Sequence, residues 1–213
     1  MRVSELVARS GIPLPTVKYY LREGLLMPGE STGATQARYG EEHVRRLGLV
    51  KALASAGLPI PRIREVLRLI DHPGDSMFEA LGQAIGQLPP YFDPVEPAAD
   101  EEPFPRARAA IEKLGQVYDP RHTAVRQLDR ALEALEEAGV RMTDENLEAY
   151  GKHIRGIAEI EIGQMPTGST ADAIRYAVLG TVIYEPVIAA MRRLAHQDIA
   201  QKRLQDSEEQ DKP

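Results

Sequence analysis

The sequence predicts a mainly α-helical fold, with a small β-hairpin between the first two and the next two helices and an all-α domain after them. Three observations carry this prediction. Apolar residues recur at helical spacing through most of the chain, as in Ile63, Val66, Leu67 and Ile70. Pro28, Gly29 and Gly33 put bends between two short extended stretches near residues 25–39. The chain has 213 residues, 43% hydrophobic and 27% charged, which suits a globular protein with one or two cores.

The first helix is read from Ser4, taken as its N-cap, through Leu6 and Val7 to Ser10-Gly11. Pro15 is acceptable in the first turn of a second helix that runs to about Glu23, with Gly24 at its end. Val17 and Leu21 form its buried stripe, Tyr20 lies beside them, and Thr16, Lys18, Tyr19 and Arg22 turn away. Two short helices joined by a tight turn make a helix-turn-helix, and the hairpin that follows would be its wing. A third helix is expected over 41–56, burying Val44, Leu47, Val50 and Leu53. A fourth starts near Pro61.

Beyond Asp71 a short helix is read over 77–88 through Met77, Leu81, Ile85 and Leu88. Residues 89–105 hold six prolines and five acids, the composition of a linker or extended arm. Helices follow over 106–117, 120–138, 143–165 and 169–205, the last bent or broken at Pro186, and the tail is polar enough to be disordered. The domains are thus 1–71, a connecting 72–105, a helical effector and dimerisation domain over 106–205, and a tail over 206–213. Val125, Leu128, Leu132 and Leu135 fit either a coiled-coil seam or the buried face of a bundle helix, with the bundle favoured by the short run. Residues 171–191 are apolar on nearly all sides, including Ile174, Val178, Val182, Ile183, Val187 and Ile188. Such a helix is central to a core, to a subunit interface, or to both.

The net charge of -6 is unevenly spread. Residues 1–71 carry 11 Lys and Arg against 7 Asp and Glu, whereas residues 72–213 carry 15 against 25. The front third is the basic third, as a phosphate-binding surface requires. A recognition helix needs short polar groups and cations that reach phosphates and base edges, and Thr16, Lys18, Tyr19 and Arg22 supply them on one face. Tyr19 can lay its ring on the sugar backbone, while Tyr20 turns its ring inward and exposes its oxygen. Arg62 and Arg64, and Arg45 and Arg46, can hold flanking backbone electrostatically; His43 is read as a surface residue.

Residues 2–71 resemble the DNA-binding domain of the MerR family of bacterial transcription regulators. The resemblance rests on Ser4-Glu5-Leu6, Ser10-Gly11-Ile12, Thr16-Val17-Lys18-Tyr19-Tyr20, Gly24-Leu25-Leu26, Arg38-Tyr39, Leu53 through Gly57, and Ile63-Arg64-Glu65-Val66-Leu67. It implies a winged helix-turn-helix and adds Arg38 and Tyr39 of the wing to the DNA-binding residues. One departure stands in the wing. Members often read Gly-Tyr-Arg-x-Tyr where this chain has Thr35-Gln36-Ala37-Arg38-Tyr39, so the arginine is displaced by one residue, which in a strand is the opposite face. The wing is carried over with Arg38 among its DNA-binding residues, and the displacement leaves open whether it makes the family's phosphate contact. The helical second part is similar in arrangement to TetR-type effector domains, on helix content alone.

The chemistry of sites is mostly excluded. No cysteine is present, so thiolate sensing and disulfides are ruled out, and the five histidines are dispersed without ligand spacing. No metal, cofactor or catalytic residue is expected, since phosphate loops and nucleophile elbows are also missing. No apolar run of membrane-spanning length and no signal peptide is read, which points to the cytoplasm and away from a membrane. An organic effector remains, or none. Tyr118, Tyr150, Tyr176 and Tyr184 could line a cavity for a small apolar ligand, with Glu159 and Glu161 as counter-charge, or could equally complete the bundle.

The function expected is a transcription regulator that binds double-stranded DNA as a homodimer, because one such domain has too small a footprint and a two-fold dimer reads an inverted repeat. The resemblance further implies a distorted promoter that RNA polymerase can engage. The competing readings are an excisionase-like architectural DNA-bending protein and a protein-interaction adaptor without DNA.

Overall fold

The computed structural model describes residues 1–33, 36–89 and 103–210. In chain order these form α1 (Val3–Ser10), α2 (Leu14–Arg22), β1 (Glu30–Gly33), β2 (Gln36–Arg38), α3 (Glu41–Ser55), α4 (Ile60–Asp71), α5 (Met77–Ile85), α6 (Pro105–Lys113), α7 (Thr123–Glu137), α8 (Asp144–Gly163) and α9 (Thr170–Gln210). The mainly α fold with one antiparallel hairpin is as predicted. The chain divides into two compact units, Met1–Gly57 with Ala177–Pro213, and Leu58–Tyr176. By this division α4, grouped with the first helices on sequence, falls in the second unit. Most of the proline-rich stretch, residues 90–102, lies outside the described residues, as do 211–213.

In the first unit α1 packs on both α2 and α3. The N-cap of α1 is Arg2, not Ser4: the Arg2 carbonyl accepts from the amides of Glu5 and Leu6, so Ser4 already lies in the first turn. Gly11 closes the helix at φ 64, the left-handed region that glycine enters without a Cβ clash. In α2 the buried pair is Val17 and Tyr20, and Leu21 is only half-buried. The aromatic ring has taken the inward position. Helix α3 buries Leu47, Val50 and Leu53 as expected and Leu49 as well, while Val44 is half-buried.

Arg46 departs from its expected role. It is a buried residue of α3 whose Nε donates to the Leu25 carbonyl at 2.9 Å, a bond that ties α3 to the turn after α2. A guanidinium so used holds the fold together and is not a surface phosphate ligand. The wing pairs Glu30 with Arg38, Ser31 with Ala37 and Gly33 with Gln36, with an irregularity between Ser31 and Gly33.

In the second unit α4 buries Ile63, Val66, Leu67, Leu69 and Ile70 and packs on α5. The buried positions of α5 are Ala80 and Ala84, and Met77, Leu81 and Ile85 are half-buried. Helices α6 and α7 form a hairpin around Ala107, Ile111 and Val125, with Phe104, Tyr118 and Leu128 against them. Asp129 of α7 is buried and accepts the Ala107 amide at 3.0 Å. A carboxylate from one helix thereby caps the N-terminus of another, where the helix dipole favours negative charge. Arg106 adds ion pairs to Glu133 and Glu136 of α7.

Helices α8 and α9 behave differently from the expectation of a filled bundle. No residue of α8 is buried. Among the described residues of α9, Ala173, Ile174 and Val178 are buried, while Ile183, Tyr184, Val187, Met191, Leu194 and Ile199 are exposed. The helix continues on both sides of Pro186 and runs on to Gln210, since neither glycine nor proline follows until Pro213. From Thr170 to Arg203 it is long and apolar enough to cross a membrane by length and composition, at mean hydropathy 1.3 with 11% of its most apolar window buried. This corrects the expectation that no apolar stretch reaches that length: Ile174, Val178, Leu179, Val182, Ile183, Val187 and Ile188 raise the mean although Arg175 and Glu185 interrupt the apolar run.

Candidate nucleic-acid interface

The outward face of α2 carries the predicted residues. Lys18 and Arg22 are exposed, and Thr16 and Tyr19 are half-exposed. The Arg22 side chain is 72% exposed and its guanidinium lies over the Tyr19 ring, 5.3 Å from the centroid, with Glu23 Oε1 3.8 Å from its Nε. A planar cation resting on an aromatic face keeps its fork of donors in a limited range of directions, which suits phosphate binding. Tyr19 and Tyr20 contact at 5.9 Å between centroids, and Tyr20, 9% exposed, is chiefly a core residue. The first turn of α2 has no carboxylate, so nothing there opposes an approaching phosphate.

Two devices set the position of this face. Gly24, at φ 70, ends α2 while the Leu25 and Leu26 amides both donate to the Tyr20 carbonyl, and the chain turns inward to bury both leucines. Arg9 of α1 forms a bidentate pair with Glu41 of α3, its Nη2 donating to Oε2 at 2.8 Å. That bond to Arg9 holds the Glu41 carboxyl below its ordinary pKa.

In the wing, Arg38 lies at the end of β2 opposite Glu30. Tyr39 is buried, with its ring edge-on to His43 at 5.1 Å, and its backbone exchanges bonds with Met1. The base of the hairpin is tight: a Cβ on Gly29 would stand 2.6 Å from the Arg38 carbonyl oxygen. His43, read from sequence as a surface residue, is half-buried and hydrogen-bonded to both ends of the wing. Its signal was present as a capping spacing, Gly40-x-x-His43.

Arg62 and Arg64 belong to the second unit. Arg62 donates to the Gln87 side chain at 2.8 Å, and Arg64 is exposed. Arg45 is paired with Glu42 at 2.6 Å.

Of the residues proposed for an effector, Tyr176 and Glu161 meet, through a backbone carbonyl. The Tyr118 hydroxyl donates to the Pro103 carbonyl, and burial pushes that phenol's pKa up. Tyr176 donates to the Glu161 carbonyl at 3.1 Å, Glu159 is paired with Arg155 at 3.2 Å, and Tyr150 and Tyr184 are exposed. Among the described residues no cluster of His, Asp and Glu has the makings of a metal site.

Residues 1–70 match the family described as MerR HTH family regulatory protein. Over nearly its whole length the chain is also similar to a solved structure, that of the provisionally assigned transcriptional regulator SCO5550 from Streptomyces coelicolor A3(2), at 32% identity and a TM-score of 0.68, covering 95% of this chain and 97% of that one. Residues 1–70 form a MerR-type helix-turn-helix domain. Curated relatives of the MerR type match over the N-terminal third. A mercuric resistance operon regulatory protein from Pseudomonas fluorescens is 36% identical over 62 residues, 29% of this chain and 43% of that protein. A homologue of the HTH-type transcriptional regulator ZntR from Haemophilus influenzae is 28% identical over 69 residues, 32% of this chain and 51% of its own length. The chain thus spans about half the length of the curated relatives it matches, and the matches are to regulators, not enzymes.

Proposed function

We propose that this protein is a transcription regulator of the MerR type that binds double-stranded DNA as a homodimer, with α2 and the wing of each protomer on one half of an inverted repeat. The observation that carries the reading is the outward face of α2, where Lys18 and the stacked Tyr19–Arg22 pair face solvent on a helix whose other face is spent on Val17 and Tyr20. Arg38 extends this cationic surface onto the wing; Arg62 and Arg64 are proposed as flanking backbone contacts. The dimer is supported by the exposed apolar stripe of α9. Distortion of the promoter, with RNA polymerase as the partner that exploits it, is the mode of action proposed, in the cytoplasm.

The test is a salt series of DNA binding with Lys18→Ala and Arg22→Ala. Removing one phosphate-binding cation flattens the dependence of log K on log salt by about 0.9. Wild-type behaviour of both variants would leave an adaptor that does not bind DNA as the better reading, and bending without any effect on transcription would favour an architectural protein.

A small apolar organic effector acting on residues 106–205 is the form of control proposed, because a chain without cysteine cannot use thiolates. Since Tyr118 and Tyr176 are spent on backbone carbonyls, the surface best suited to such a ligand is α8, where Tyr150, Ile154 and Ile160 are exposed. Thermal shifts across hydrophobic compounds test this; no shift with any of them removes the effector.

A further inference from the structure

The two ends of the wing meet one side chain. Pro28 stands just before β1 and Gly40 just after β2. His43, at the third position of α3, reaches both: the Gly40 amide donates to Nδ1 at 3.0 Å, and Nε2 lies 3.4 Å from the Pro28 carbonyl. These bonds decide the tautomer. An Nδ1 that accepts an amide proton is bare, so the ring's proton sits on Nε2 and is donated to the Pro28 oxygen. The ring is further held by the edge-on Tyr39, itself buried and bonded through its backbone to Met1. Below it, Arg9 fixes Glu41 in the same first turn of α3.

We propose that His43 is a positioning residue for DNA recognition: as the Nε2–H tautomer it fastens both feet of the wing to α3 and so sets the height at which Arg38 is presented. The inference rests on the reading that the wing meets DNA. Its physical basis is that a two-stranded hairpin is marginal by itself, and this one has two short strands and a register irregularity. Its direction must therefore be imposed at its base. Gly29 contributes close approach of the two strands, but a backbone contact between strands does not aim the hairpin relative to the helices. Among the described residues, His43 joins the strand ends to α3.

The experiment is a double-mutant cycle on DNA affinity between His43→Ala and Arg38→Ala in the full chain, measured where circular dichroism shows every variant folded. His43→Ala is expected to weaken binding about three- to tenfold, the worth of about one net hydrogen bond. That loss should largely vanish in the Arg38→Ala background, and His43→Gln, whose amide offers both an acceptor and a donor, should restore part of it. If Arg38→Ala weakens binding and His43→Ala does not, His43 is only a helix cap and the proposal is overturned. If Arg38→Ala is silent, the wing reading falls first and the role of His43 with it, while the Lys18 and Arg22 variants report separately on α2. Should His43→Ala fail to fold, ring-nitrogen NMR of the wild-type chain decides: a bare Nδ1 and protonated Nε2 support the clamp, and the opposite tautomer sinks it.

Discussion

At Gly29 the constraint is backbone approach. A methyl group there would meet the Arg38 carbonyl at 2.6 Å and crowd the Ala37 Cβ and Tyr39 ring at 3.1 Å. Backbone oxygen cannot rotate away as a flexible side chain can, so Gly29→Ala should destabilise the domain by about 1–3 kcal/mol through overpacking. Chemical denaturation of wild type and variant measures this directly, and an unchanged midpoint would show that the strands separate at no cost. Arg46 illustrates the opposite constraint. Its charge is legible in the sequence, but its use as a buried donor to Leu25 depends on a turn twenty-one residues away.

Among the helices, chain ends are satisfied by partners that are sometimes local and sometimes not. Thr143 and Ser169 cap α8 and α9 through their own hydroxyls, accepting the Asn146 amide at 3.2 Å and the Asp172 amide at 3.3 Å. Both fall on the serine and threonine positions that local reading favours. Helix α6 has no such neighbour. Its N-cap is Phe104, at φ 60, and the acceptor for the Ala107 amide comes from Asp129 on α7. Asp129→Ala leaves that amide buried without a partner and should cost about 1–3 kcal/mol, whereas Asp129→Asn keeps an acceptor and should cost less. Thermal unfolding of the two variants checks the order; equal losses would show that charge against the helix dipole, and not the hydrogen bond, is the larger contribution. Gly151 marks another close approach, between α8 and Leu114, with a Cβ there only 2.3 Å from the leucine Cδ2.

For the molecule as a whole, the question is what covers α9. Ile183, Tyr184, Val187, Met191 and Leu194 share one face about 100° wide, and Met191 and Leu194 are each 64% exposed. Arg192 and Arg193 lie outside that stripe, so this stretch of the helix offers the apolar face that the proposed homodimer would bury. Val187→Glu combined with Met191→Glu should shift the protein from dimer to monomer at micromolar concentration in analytical ultracentrifugation, and weaken binding to an inverted repeat far more than to a half-site. A variant that stays dimeric would place the interface elsewhere. Partition of the wild-type chain into vesicles would instead support a membrane role for the same stripe.

Local pattern was enough to set the helix count and order beyond the hairpin, the wing's place, and the outward polar face of α2, because periodicity, proline and glycine act within a few residues of where they stand. The basic front third and the exclusion of thiolate chemistry were equally local facts of composition. Packing between distant segments then chose which of several suitable residues took each role. Tyr20 occupied the core position that Leu21 could have filled, Arg46 went inward, His43 joined the two ends of the wing, and Asp129 capped a helix to which it does not belong. Each depends on the distance between segments remote in the chain, which no local pattern encodes. The same reason explains α9: its residue types marked it as apolar on most sides, but only the fold established that one chain leaves most of that surface uncovered.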